Sequence, residues 1–188
     1  MRVLAPLLAF VSVPALGLVA LQYEQRANEQ RLANVASAIA GRPVDVRCPG
    51  LVQRLVDISP NAGSVYFDRY GRPADFAELN GETCSALDDF AEGDIGSRDA
   101  LRVARALHVL AHESLHLAGV RNEAEADCFG IQRTAFVAER LGAEPEEARR
   151  FAALALDDRA RNAPVEYRTP ACYDGGPLDL DAGSDVWP

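Results

Sequence analysis

The sequence predicts an α+β fold that is mainly helical, and three observations carry that prediction. Three long stretches repeat apolar residues at helical spacing, each with its own start and stop signals. Short runs upstream of them carry the pattern of strands separated by turn-forming residues. Beyond the first 22 residues the chain is also of a length that makes one domain, and with 48% apolar residues overall it can build a real core.

The elements follow in order. After Met1 and Arg2, residues 3 to 22 are apolar and uncharged, long enough to span a bilayer, and flanked by Glu24, Arg26 and Glu29. This segment is predicted to direct export. It is either a signal peptide, cut after Gly17 or Ala20, or a retained signal anchor, which its length and the lack of a clean Ala-x-Ala site favour. A buried core helix is the bland alternative. Either export outcome places the remainder outside the cytoplasm, with the membrane as partner of the N-terminal segment and Arg2 inside. Residues 23 to 43 carry Leu32, Val35, Ala36 and Ile39 at helical spacing and form a stalk or a first helix. The domain proper is expected over 44 to 178. It opens with strand-like runs at Val44 to Cys48, Ser64 to Asp68 and Ala74 to Leu79, the last two joined by the turn-rich residues 69 to 73.

A helix is expected from about Arg98 to Leu117, with Ser97 as N-cap, Asp99 in the first turn and Gly119 just past the end. Leu101, Ala104, Leu107, Ala111 and Leu115 give its buried stripe. The next helix starts almost at once, capped by Asn122 and closed by Gly142, so it folds back toward the first. A third runs from Pro145, at its first position, to about Arg161. The chain after Asn162 is rich in Pro, Gly and Asp, and 179 to 188 form an acidic irregular tail.

The first of these helices contains His112-Glu-Ser-Leu-His116. On a helix the two histidines lie one turn apart and point the same way, so both imidazoles can grip one ion, while Glu113 sits about 100° round the axis beside it. Zinc suits that pair. Its hydrolytic sites use three protein N or O ligands and one open position, where the metal lowers the pKa of water to about 7. Glu113 then serves as general base. Seven residues on, Glu123-Ala-Glu-Ala-Asp127 offers the third ligand. Glu125 has a structural role of its own, because a capping-box Glu reaches back to the N-cap amide of Asn122. Glu123 has none and is assigned to the metal. Asp127, one turn beyond, is assigned to accept the outer N–H of a ligating imidazole. Glu125, Asp127 and Asn122 stay open as alternative ligands. His108 extends the histidine stripe but lies two turns, about 12 Å, from His116, too far to share its ion, and reads as a packed or substrate-facing residue. Tyr167, Tyr173 and Arg121 are the polar candidates for an oxyanion beside the metal, each with an ordinary structural reading beside it.

HESLH followed by EAEADCFG resembles the gluzincin metallopeptidases, whose HExxH helix is followed by a helix carrying ExxAD. EADCFG is similar to the ELQADCYAG element of the neutral zinc metallopeptidase family. The resemblance implies a minimal zincin-like domain with two metal-site helices, Glu123 as ligand, Glu113 as base and Asp127 as support. It covers about 20 residues, and it departs from those families in spacing, because six residues separate His116 from Glu123 where they have tens. HESLHLAG also fits the start of the metzincin pattern HExxHxxGxxH, but Asn122 stands at the third His position. The chain further resembles small exported HExxH proteins with a YRxPxCxDGGPLDL-like tail. By analogy with such peptidases, the hairpin over 64 to 79 is the candidate to hold substrate along an edge strand.

Four cysteines, Cys48, Cys84, Cys128 and Cys172, contain no CxxC pair, which in an exported chain indicates disulfides rather than a second metal site. Three connectivities exist. Cys48 with Cys84 and Cys128 with Cys172 is favoured, a free Cys128 thiol near the metal being the alternative. A net charge of -9 with no basic run argues against nucleic-acid binding. The expectation is therefore an exported zinc metalloendopeptidase acting on peptides or proteins. Its rival is a non-catalytic binding module with a structural zinc site, which a closed set of four ligands would favour.

Overall fold

The computed structural model describes residues 4–50, 53, 61–93, 99–184 and 186–188, with side chains from residue 22 onward. Among the described residues, five named helices and a small sheet make the mainly helical α+β fold expected: α1 (Leu4–Ala40), β1 (Asp45–Arg47), β2 (Gly63–Ser64), β3 (Phe76–Leu79), α2 (Gly81–Ala91), α3 (Ala100–Leu117), α4 (Glu123–Arg140) and α5 (Pro145–Asn162), then a 3-10 turn at Val165–Tyr167. The sheet order is β1-β3-β2, parallel between β1 and β3 and antiparallel between β3 and β2, with Gly63 opposite Leu79.

The helix α3 is the centre. Val103, Ala104, Leu107, Leu110, Ala111 and Leu117 are fully or almost fully buried, and α1, α2, α4 and α5 all pack on it. This corrects the one-sided stripe drawn from the sequence. Leu101, assigned to the core, is 39% exposed, whereas from Leu110 to Leu117 every residue of the helix is buried and its buried surface is no longer a single face. Its N-terminal signal also moves: Asp99 stands at the N-cap without a side-chain cap bond, and Ser97 and Arg98 lie outside the described residues.

The inner half of α1 belongs to the domain. Leu32, Ala33, Val35 and Ala36 are buried against α3 and β1, and Glu29 Oε1 accepts the Cys48 N–H at 3.0 Å. The side chains of 3 to 21, on which the export reading rests, lie outside the described residues. Among the described residues no helix is long and apolar enough to cross a membrane.

The disulfides close as Cys48–Cys84 and Cys128–Cys172, the pairing the sequence favoured. They suit an oxidising, extracytoplasmic environment. The first clamps β1 to α2. The second ties α4 to the chain that follows α5, where Gln132 also binds Leu178 O (2.8 Å) and Leu180 N (2.7 Å).

Candidate metal centre

The site is built by the turn between α3 and α4. Gly119 adopts φ +100, a conformation that side chains resist, and this lets Gly119 N–H bond His116 O (2.9 Å) and Val120 N–H bond Leu115 O (3.0 Å), the paired bonds that close a helix in a Schellman motif. The same turn aims the Val120 carbonyl at His116, whose Nδ1–H donates to it at 2.7 Å. A carbonyl only accepts, so His116 carries a proton on Nδ1 and turns Nε2 toward the site. Two residues later Asn122 Oδ1 caps α4 by accepting the Glu125 N–H at 3.0 Å, and this places Glu123 in the first turn facing back to α3.

Three donor atoms meet there. His116 Nε2 lies 2.9 Å from His112 Nε2 and 3.3 Å from Glu123 Oε2, and His112 Nε2 lies 3.2 Å from that same oxygen. A four-coordinate ion with bonds of about 2.0–2.1 Å separates its ligands by about 3.3 Å, so these atoms already stand close to ligand spacing. Protonation points the same way. Burial holds the His112 pKa below its ordinary value against the opposing pull of Glu123, while the hydrogen bond from His112 lowers that of Glu123. Three ligand-type atoms therefore face one another at close range, an arrangement that a cation would satisfy. His112, His116 and Glu123 can hold a metal ion. Glu125 is exposed and outside this group.

Glu113 is buried beside the ligands, and its Oε2 has no hydrogen-bond partner. Burial, reinforced by the Glu123 charge, pushes its carboxyl up to about 8. A cation held by the neighbouring donors acts in the opposite direction. The strand β2 lies directly over this carboxyl. A Cβ at Gly63 would stand 2.6 Å from Glu113 Cγ and 2.8 Å from Oε1, so any other residue there would displace the Glu113 side chain. No sequence signal marked Gly63.

Asp127 is placed differently from its assignment. Its Oδ1 accepts from His108 Nε2 (3.1 Å) and from Arg159 Nη2 (2.6 Å), not from the outer nitrogen of His112 or His116. The cause is register, since antiparallel α3 and α4 set Asp127 level with His108. Although burial raises the Asp127 pKa, these two partners bring it below the ordinary carboxylate value. His108, His112 and Asp127 are also spaced to hold a cation. Arg159, which sequence reasoning did not single out, already supplies the positive charge.

A cleft of about 570 Å3 opens over the donors, bounded by β2, Val65 and Phe67 on the hairpin side and by Pro164, Glu166 and Tyr167 on the other. Of the three polar candidates, Arg121 and Tyr167 line it and Tyr173 does not. The Tyr167 ring lies 5.7 Å from that of His112, and burial, with Glu123 and Glu113 adding, raises its pKa. Arg159 sits over its face at 5.1 Å. No protein-family model, no curated protein and no solved structure matches this chain.

Proposed function

We propose that the chain is an exported zinc-dependent peptidase that hydrolyses peptide bonds with water, using Glu113 as general base. The observation that carries this reading is the convergence of His112, His116 and Glu123 on one point of an open cleft, with Glu113 buried against it. Two imidazoles and a carboxylate are a donor set of catalytic zinc, whereas structural zinc is closed by a fourth ligand. The obvious fourth donors are engaged elsewhere: all four cysteines are in disulfides, and His108 is bonded to Asp127. When bound, zinc would polarise the scissile carbonyl and lower the pKa of water to about 7. Glu113 takes the proton of the attacking water, its unpartnered Oε2 being the available acceptor, and passes it to the leaving amine. Tyr167, kept protonated by its raised pKa, faces the same cleft and can donate to the developing oxyanion. As one of the two outer strands of the sheet among the described residues, β2 offers its edge to an extended peptide. If the segment over residues 3 to 22 is retained, the enzyme is membrane-tethered.

The test separates holding the metal from using it. The purified protein should carry about one zinc per chain by elemental analysis, lost when His112 or His116 becomes Ala. Glu113→Gln should keep the zinc and lose at least about a hundredfold in peptidase activity, because an amide cannot accept the proton. A wild type that binds zinc stoichiometrically and cleaves nothing in a broad peptide library would leave the binding-module reading standing.

A further inference from the structure

We infer that Arg121 forms a carboxylate-binding subsite of the cleft, so that the protein selects peptides bearing a carboxylate two or three residues from the scissile bond. This rests on the peptidase reading above and adds a substrate class to it. Arg121 and Arg159 are the cations that line the cleft. Arg159 is engaged with Asp127 at 2.6 Å. Arg121 makes no ion pair with a carboxylate among the described residues. Partners are not scarce in a chain with 28 acidic residues against 19 arginines, and Arg42, Arg72, Arg102, Arg105 and Arg161 each pair with an aspartate.

Arg121 is held in place without being neutralised. Its guanidinium carbon lies 5.8 Å from the Phe67 ring centroid, and its Nη1 packs on Gly71, where a Cβ would come within 2.7 Å. Phe67 stands edge-on to His116 with centroids 5.9 Å apart. These two contacts keep the guanidinium within about 12 Å of the metal-site ring. An extended peptide advances about 3.3–3.4 Å per residue, so an acidic group two or three residues from the cleaved bond can reach it. A guanidinium presents a planar fork of N–H donors that matches a carboxylate. The carboxylate can belong to an Asp or Glu side chain or to the peptide's C-terminus.

The test reads binding, so it does not depend on turnover. Zinc-loaded Glu113→Gln protein is titrated against fluorescent peptides in which one Glu is moved along a neutral sequence, each paired with its Gln counterpart, and against free-acid and amidated C-termini. The Glu series reports a side-chain carboxylate, and the C-terminal pair reports a terminal one. One placement should bind about threefold to tenfold more tightly than its neutral counterpart, with the advantage shrinking as salt rises from about 0.05 to about 0.5 M. Adding Arg121→Ala should remove the preference, while Arg121→Lys should restore part of it and show that the fold is intact. Equal affinity for every charged and neutral pair, or a preference that survives Arg121→Ala, overturns the subsite. If the preference holds but the wild type cleaves no peptide, the peptidase reading falls and the subsite stands. If the wild type cleaves with no preference for a carboxylate at any position, the subsite falls alone.

Discussion

Six residues separate His116 from Glu123, and none of them is idle. Leu117 is core, Ala118 ends the helix, Gly119 reverses the chain, Val120 holds the His116 tautomer, Arg121 lines the cleft and Asn122 caps the next helix. A third donor therefore reaches the histidine pair without the long insertion found in the families the motif resembles. The residue-scale prediction separates the two acids of α4. Glu123→Ala removes a converging donor and should abolish stoichiometric zinc in elemental analysis. Asp127→Ala leaves His108 and Arg159 without their shared acceptor, and should lower stability by about 2–3 kcal/mol in denaturant unfolding while zinc remains at about one per chain. Loss of zinc in Asp127→Ala with a normal melting curve would return Asp127 to the metal. The local part of this site was legible because it follows from helical spacing and from the caps at Gly119 and Asn122. The partner of Asp127 was not, because it depends on how far α4 slides along α3, which no pair of neighbouring residues encodes.

The slide is fixed between elements by Gly130. A glycine inside a helix usually costs about 1 kcal/mol relative to alanine, and its sequence position gives no hint of a benefit. Here a Cβ would meet His108 Cε1 at 3.1 Å and the His112 backbone N and Cα at 3.3 Å, so the two metal-site helices approach this closely because the side chain is missing. Backbone cannot swing away as a side-chain tip can. Gly130→Ala should therefore lower stability by about 1–2 kcal/mol despite the better helix propensity, and weaken zinc affinity by about tenfold through displacement of His112. Higher stability in thermal unfolding with unchanged affinity would show that α4 can retreat freely. Other elements were harder to read for similar reasons. The run predicted as a strand over 64 to 68 is a strand only at Gly63–Ser64, since Asp68 Oδ1 accepts from Tyr70 N (2.8 Å) and Arg72 N (2.9 Å) and turns the chain. The helix α2 was not expected at all. Its signals are present, with Asn80 capping Thr83 N and Cys84, Leu87 and Phe90 buried at three-residue spacing, but it is short and opens on glycine.

Across the whole molecule the peripheral helices are fastened to α3 by a few specific bonds, and the one that closes the far side is Arg105 with Asp158. Arg105 donates through Nε at 2.8 Å and Nη2 at 2.5 Å to the two oxygens of Asp158, which also accepts from Asn162 Nδ2 at 2.8 Å. The pair joins α3 to α5, the helix that carries Arg159 to the cleft. The Arg105 hydrogen bond, opposed by burial and aided by Asn162, holds the Asp158 carboxyl below its ordinary value. A carboxylate whose folded pKa is depressed adds stability that is present above the ordinary pKa, near 3.9, and is lost as pH falls through the lower folded value. Arg105 is half exposed, so water screens the pair, and the contribution near neutrality is held to about 1 kcal/mol. Asp158→Asn should therefore unfold at a lower denaturant midpoint than wild type at pH 7, and the difference should narrow as pH is taken down from about 5 through the ordinary carboxylate value and vanish only below the folded one. A gap between the two proteins that stayed constant across that range would mean that the bond holds α5 through its geometry alone, with the charge of Asp158 adding nothing.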